Sequence, residues 1–186
     1  MYYLTLVTFS LIISMVPFSV ALSSSVYRCI EWKETFKIAL VLGLFHSMMA
    51  VIGWGIGYSI KGFFYDMKLP VALFVMLFIA FRLFMDSRRQ NRQLRIIIAD
   101  ETRILVSFGL VTSINTALLC ISLGMLYSGL LPLAGFVFGM VFILSILGVR
   151  IGKLGMMKMG WIAELLGSLG LLAAGIFILL QYLKMV

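Results

Sequence analysis

Acidic side chains are scarce in this chain. Asp and Glu number 7 among 186 residues, against 15 Lys and Arg, and charged residues of both signs make up 12%. An ordinary soluble domain carries about 25%, so the sequence lacks the polar surface that a water-soluble fold needs. Histidine occurs once and cysteine twice. Cys29 sits in a polar segment and Cys120 in an apolar one, so no disulfide is expected between such different depths. No Ser/His/Asp set, paired intramembrane carboxylates, phosphate loop or zinc spacing is present, which leaves no case for an enzyme or for a resident cofactor.

Hydrocarbon takes the place of charge. The chain is 63% hydrophobic, with a mean hydropathy of +1.15. Not one charged residue stands between Ile104 and Val149. A membrane-spanning helix needs roughly 20 apolar residues, so this run accommodates two, divided at the Gly/Pro signal Ser128-Gly129-Leu130-Leu131-Pro132. Residues 1–23 lack the basic segment that opens a signal peptide and are read as a retained helix. The spacing predicts six spans, at about 2–23, 38–60, 69–86, 104–126, 131–150 and 160–183. Arg82 lies within the third, near enough to its end for a long side chain to reach the headgroups.

The net charge of +8 does not point to nucleic acid, because it is gathered in the short connections. Arg28, Lys33 and Lys37 follow span one. Arg82, Arg88, Arg89, Arg92, Arg95 and Arg103 follow span three, and Arg150, Lys153 and Lys158 follow span five. The opposite side holds only Lys61, Lys68 and Lys184. Lys and Arg accumulate on the cytoplasmic side. That rule puts the basic connections inside, both termini outside, and the protein in the cell's inner (plasma) membrane.

Six spans divided by a charged linker give three units: a first three-helix repeat over 1–87, a basic linker over 88–103, and a second repeat over 104–186. Three is odd, so the second repeat enters from the opposite side, as in transporters whose site lies between inverted halves. Phe9-Ser10-Leu11-Ile12-Ile13-Ser14-Met15 aligns with Phe108-Gly109-Leu110-Val111-Thr112-Ser113-Ile114 at an offset of 99. Gly53 with Gly57 and Gly148 with Gly152 form matching Gly-x-x-x-Gly pairs, a spacing that lets helix backbones approach closely. The expected fold is therefore an all-α integral membrane protein of six helices in two inverted repeats.

Polar residues inside lipid are costly and mark candidate sites. Span one carries Ser10, Ser14, Ser19 and the helix-disturbing Pro17. His46 lies in span two as a metal ligand, proton carrier or helix-bridging group. Asn115, flanked by Thr112, Ser113 and Thr116, can coordinate a cation through its carbonyl oxygen or bind helices together. Glu164 stands about one turn into span six, either as an ion-coupling carboxylate or as a helix-start acid facing Lys158 or Arg150.

Several stretches carry a resemblance. They are Gly43-Leu44-Phe45-His46-Ser47-Met48-Met49-Ala50-Val51-Ile52-Gly53-Trp54-Gly55-Ile56-Gly57, Thr112-Ser113-Ile114-Asn115, Ser14-Met15-Val16-Pro17-Phe18, Ser145-x-x-Gly148-x-x-x-Gly152, Ala163-Glu164-Leu165-Leu166-Gly167 and Arg82-Leu83-Phe84-Met85-Asp86. Over nearly the whole chain they resemble the MntP-type manganese efflux family, within the LysE-type exporter superfamily. The resemblance implies six helices in two inverted halves. The family's two intramembrane aspartates fall on Val16 and Asn115, its second-helix glutamine on His46 and its following proline on Ala50.

Together these features point to a small exporter of a divalent metal cation, manganese by resemblance, working by alternating access. Asn115, His46, Ser14, Ser113 and Thr112 would line the path between spans one, two, four and five, with His46 and Asn115 touching metal and Glu164 at the cytoplasmic mouth. Two alternatives stay open: a non-transporting scaffold or partner subunit, and an exporter of a non-metal solute. The bilayer is the expected partner, and association of like copies is left open.

Overall fold

The computed structural model describes residues 2–25, 30–63, 67–90, 102–126, 131–154 and 158–183. Six α-helices occupy them: α1 (Tyr2–Ser25), α2 (Trp32–Ile60), α3 (Lys68–Gln90), α4 (Thr102–Leu126), α5 (Leu131–Gly152) and α6 (Lys158–Leu183). No strand occurs among the described residues. Within α1, α2, α4 and α5, the stretches Leu6–Ser25, Trp32–Ile60, Leu105–Leu126 and Pro132–Gly152 are long and apolar enough to cross a membrane. The apolar parts of α3 and α6 are shorter, Leu69–Met85 and Leu165–Ile176.

The helices outrun the apolar segments that announce them. Hydropathy begins the second span at 38, whereas α2 starts at Trp32, takes Glu34 into its first turn and bonds the Thr35 hydroxyl to the Glu31 carbonyl at 2.9 Å. A negative charge near a helix N-terminus meets the positive end of its dipole, so the charged turn is helical without being apolar. α3 likewise runs on through Arg88 and Arg89 to Gln90. The start of the expected linker is thus helical, and most of the rest, 91–101, lies outside the described residues. Pro17 does not interrupt α1.

Side chains are distributed as lipid demands. Phe74, Phe78 and Phe81 of α3, Leu40, Leu44 and Met48 of α2, and Leu166 and Leu169 of α6 face outward. Ser10, Ser14, Ser19, Thr112, Ser113, Thr116, Ser122, Ser145 and Ser168 are buried. Outward hydrocarbon reverses the surface of a water-soluble bundle, and the inward hydroxyls sit within a core that is itself mainly apolar.

Each helix packs mainly on partners from the other end of the chain. α1 lies between α5 and α6, and α4 between α2 and α3. α2 also rests on α5, and α3 on α6, while α1 meets α2 and α4 only briefly. The closest approaches use glycine. A Cβ on Gly53 or Gly57 would strike the carbonyl oxygens of Ala117 or Ile121 in α4. A Cβ on Gly148 would lie 2.7 Å from the Phe18 carbonyl oxygen of α1, and one on Gly152 would strike the Leu22 carbonyl and the Ser25 hydroxyl.

These contacts also fix direction. Phe45 meets Gly109, Gly53 meets Ala117 and Gly57 meets Ile121, so α2 and α4 run parallel. Phe18 with Gly148 and Leu22 with Gly152 make α1 and α5 parallel as well. Met15 against Gly167 and Ile12 against Gly170 make α6 antiparallel to α1.

Backbone cannot swing aside as a side chain can, and overpacking costs about 1–3 kcal/mol or more. Gly53→Leu and Gly148→Leu are therefore expected to deplete folded protein severely. Gly135→Leu and Gly139→Leu, where a Cβ meets nothing within 4 Å, should leave it near normal. The monodisperse fraction on size-exclusion chromatography in detergent checks this contrast.

Candidate functional site

In lipid a hydroxyl has no water to bond, so Ser and Thr turn back onto their own helix. Ser10 donates to the Leu6 carbonyl at 2.7 Å, Ser14 to Leu11 at 2.8 Å, Ser113 to Leu110 at 2.8 Å and Thr112 to Phe108 at 2.8 Å. Ser14 and Ser113 make the same bond at positions 99 apart. Donation uses the hydroxyl proton and leaves oxygen lone pairs available.

Four polar side chains depart from this economy. Among the described residues, His46 Nε2, Asn115 Oδ1, Ser145 Oγ and Trp54 Nε1 lie buried at membrane depth without a hydrogen-bond partner. Two more unpartnered atoms, Nε and Nη2, belong to Arg150 in the last turn of α5, whose guanidinium carbon lies 3.3 Å from the centre of the Trp32 ring.

Asn115 opens on a cavity of about 20 Å³, room for about one water molecule. Ile12, Ile13 and Val16 of α1 and Ile79 and Leu83 of α3 form one wall. Thr112, Asn115, Thr116 and Leu119 of α4 and Leu171 of α6 form the other. The wall from the first half of the chain offers only hydrocarbon side chains, and all the polar side chains come from α4. Pro17 has no N–H, so the Ile13 carbonyl at this wall loses its usual helical donor.

His46 is 0% exposed, and its Nδ1 lies 2.8 Å from the Leu42 carbonyl. A carbonyl only accepts, so Nδ1 carries a proton, and in the tautomer this bond selects for a neutral ring Nε2 holds the lone pair. On α2, His46 lies between Gly43, which faces Phe138 of α5, and Gly53, which faces Ala117 of α4.

The expected site residues thus fall on two faces of the inner helices. Thr112 and Asn115 share the cavity face with Thr116. Ser113 is four residues from both Gly109 and Ala117, on the α4 face toward α2. Ser14 is four residues from Phe18, on the α1 face toward α5. The α2–α4 register sets His46 level with Leu110 and Asn115 level with Val51, so His46 and Asn115 stand about 8 Å apart along the bundle. The cavity is walled by α1, α3, α4 and α6, whereas the sequence pointed to spans one, two, four and five. Ile79, Leu83 and Leu171 carry no polar atom that could have marked them. Glu164 falls on α6, but its side chain and that of Asp86 lie outside the described residues. No group of three His, Cys, Asp or Glu able to hold a metal occurs among the described residues. Cys120 is buried and free, and Cys29 lies outside the described residues.

Apolar helices with inward hydroxyls and buried polar groups beside a small cavity define a multi-pass membrane protein. The family described as "Putative manganese efflux pump" matches residues 29–179, and the chain belongs to that family. Its description is of an efflux transporter, not of an enzyme. A relative in Crocosphaera subtropica named "Putative manganese efflux pump MntP" is 28% identical over 169 residues, covering 88% of each chain. "Putative manganese efflux pump MntP 2" of Clostridium botulinum is 24% identical over 96% of this chain and 94% of its own. One from Parabacteroides distasonis is 29% identical over 79% of this chain and 78% of its own. No solved structure matches.

A buried amide oxygen without a donor costs about 1–3 kcal/mol, a stability cost typical of functional sites. Asn115→Leu should therefore leave thermal stability equal or higher while removing transport. Melting of the purified protein in detergent, set beside an export assay, checks both halves of this expectation.

Proposed function

We propose that this protein exports a divalent metal cation, manganese being the ion that its family's description names. One observation carries the reading. The amide oxygen of Asn115 is buried, unpartnered and set on a cavity between the two sequence halves. A cation is a ligand that such an oxygen can take, and the Thr112 and Thr116 hydroxyls line the same cavity as further oxygen ligands of the kind manganese accepts. A scaffold gains nothing from an orphaned acceptor in lipid, which weighs against that alternative, as does family membership.

The architecture we propose is six crossings in two inverted repeats, working by alternating access. Parallel packing of α2 with α4 and of α1 with α5 agrees with six alternating crossings. The glycine contacts repeat at the sequence offsets of the two halves: Gly53 on Ala117 answers Gly148 on Phe18, and Gly57 on Ile121 answers Gly152 on Leu22. Ser14, Ser113 and His46 form the part of the path on the α2–α5 side, and Glu164 its cytoplasmic mouth. The protein would lie in the inner membrane with the linker cytoplasmic and both termini outside.

The export reading is tested by cellular metal content in a strain lacking its own manganese exporter, after a metal challenge. Expression should lower manganese, zinc, iron or cobalt selectively by severalfold, and Asn115→Leu should abolish the effect with the protein still in the membrane. No change in any metal would end this reading and favour a non-metal solute or a scaffold.

Orientation has its own test. Alkaline phosphatase fused after Val186 should be active, and a fusion in the 88–103 linker inactive. The reverse pattern would overturn the topology.

A further inference from the structure

The cavity at Asn115 leaves the second buried lone pair unexplained. His46 is fully enclosed, on the α2 face that meets α4, and Nε2 touches no donor. Its other ring nitrogen is committed to the Leu42 carbonyl at 2.8 Å. A metal-binding histidine is commonly prepared in this way, since a carbonyl on one nitrogen fixes the tautomer, orients the ring and makes the other nitrogen a better donor. Ser113 lies on the α4 face that His46 meets, and its hydroxyl proton is spent on Leu110, so its oxygen turns only lone pairs outward.

We infer that His46 Nε2 is a metal-donor atom on the transport path and biases this protein toward the imidazole-favouring divalent ions zinc, cobalt and nickel, at manganese's expense. The inference rests on the reading of the chain as a metal exporter, and it narrows the cargo. Manganese suits carboxylate, carbonyl and water, whereas imidazole suits zinc and nickel. The described residues lining the path supply neutral oxygens and this one nitrogen. A neutral oxygen set gives manganese little advantage, and a preset imidazole adds to the advantage of its competitors.

Affinity rises from manganese toward zinc at almost any nitrogen or oxygen site, so a bare preference decides nothing. The decisive quantity is its change when nitrogen is replaced by oxygen. Purified full-length protein in detergent is titrated with Co²⁺, followed by its visible absorption, and the bound ion is competed off with Zn²⁺ or Mn²⁺. His46→Gln should weaken Co²⁺ and Zn²⁺ binding at least tenfold and narrow the zinc-to-manganese affinity ratio at least tenfold. An unchanged ratio would overturn the inference. X-ray absorption of the zinc-loaded wild type gives a reading that needs no variant: imidazole scattering is expected, and an all-oxygen shell would overturn the inference even if His46→Gln fails to fold. Manganese export with no dependence on His46 would leave the exporter reading standing and sink this one. Nitrogen-ligated metal in a protein that exports none would sink the exporter reading and, with it, the place of His46 on a transport path, leaving His46 a metal donor only.

Discussion

The structure depends on backbone meeting backbone at five glycines, Gly124 of α4 against the Trp54 carbonyl of α2 being one. Lipid tails are as apolar as leucine, so hydrophobicity gives helices little reason to prefer one another over the bilayer, and close packing must hold them together. Gly53 and Gly57 admit the carbonyls of Ala117 and Ile121, and Gly148 and Gly152 admit those of Phe18 and Leu22. With α1 held against α5 and α4 against α2, the inner faces of α1 and α4 are enclosed. Their hydroxyls must then bond locally, as Ser10, Ser14, Thr112 and Ser113 do. The enclosure therefore comes first and the polarity of the interior is a consequence. It also explains why the few atoms that stay unpartnered carry information: in an interior where most of the described hydroxyls bond their own helix, Asn115 Oδ1, His46 Nε2, Ser145 Oγ and Trp54 Nε1 have no partner.

On the proposed two-repeat reading, the halves use one packing scheme with different chemistry at its centre. Val16 and Asn115, 99 residues apart, both line the cavity, yet one is hydrocarbon and the other an amide. An aspartate at each, as the resemblance implies for the family, would put two charges across this space. Here no described side chain of the cavity wall can be charged. Burying an ionised carboxylate without a partner costs far more than burying an amide, so this cavity can stay small and close without a counter-ion. A cation entering it would give up more hydration than it regains from neutral oxygens, and would be held weakly. Weak holding is compatible with transport, which needs binding firm enough to enter and loose enough to leave.

Much of the fold was legible because a charge in lipid is so costly. The charge-free run from Ile104 to Val149 contains nearly all of α4 and α5, and the apolar stretches located all six helices to within a few residues except at the start of α2 and the end of α3. Those exceptions have one cause: hydropathy reports where the bilayer ends, and Glu34 and Arg88 are compatible with helix beyond it. Gly53, Gly57, Gly148 and Gly152 drew notice by their spacing, whereas Gly124, where a Cβ would lie 2.5 Å from the Trp54 carbonyl oxygen, did not. The partners of those four were not legible, because a Gly-x-x-x-Gly pair states that something approaches and not what does. The polar half of the cavity, Thr112 and Asn115, stood out as the most polar point of an uncharged run. Its hydrocarbon half was invisible, since Ile79, Leu83 and Leu171 look like any other buried residues. The separation of His46 from Asn115 depends on the register of α2 against α4, which neither helix encodes alone.

Packing across the sequence halves bears on how such a molecule could move. Covalent order joins α1 to α2 and α4 to α5, yet α1 meets α2 only briefly and is held to α5 by backbone contacts. Backbone contacts through glycine have no rotamers to exchange, so α1 with α5, and α4 with α2, behave as stiff pairs. The seam between α2 and α5 is built differently. A Cβ on Gly43 would lie 3.1 Å from the Phe138 ring, Phe36 meets Phe142 edge to face at 5.0 Å, and Phe138 stacks on Phe142 at 5.8 Å. Aromatic rings can slide and re-pack while remaining in contact, as glycine-seated backbones cannot. On the proposed reading the bodies that rock against each other are therefore the cross-half pairs, turning about the phenylalanine seam, and not the first and second halves of the sequence. The cavity at Asn115 lies where α1 of one pair faces α4 of the other. On that reading a small rotation at the seam would open it while the backbone contacts of Gly53, Gly57, Gly148 and Gly152 stay in place.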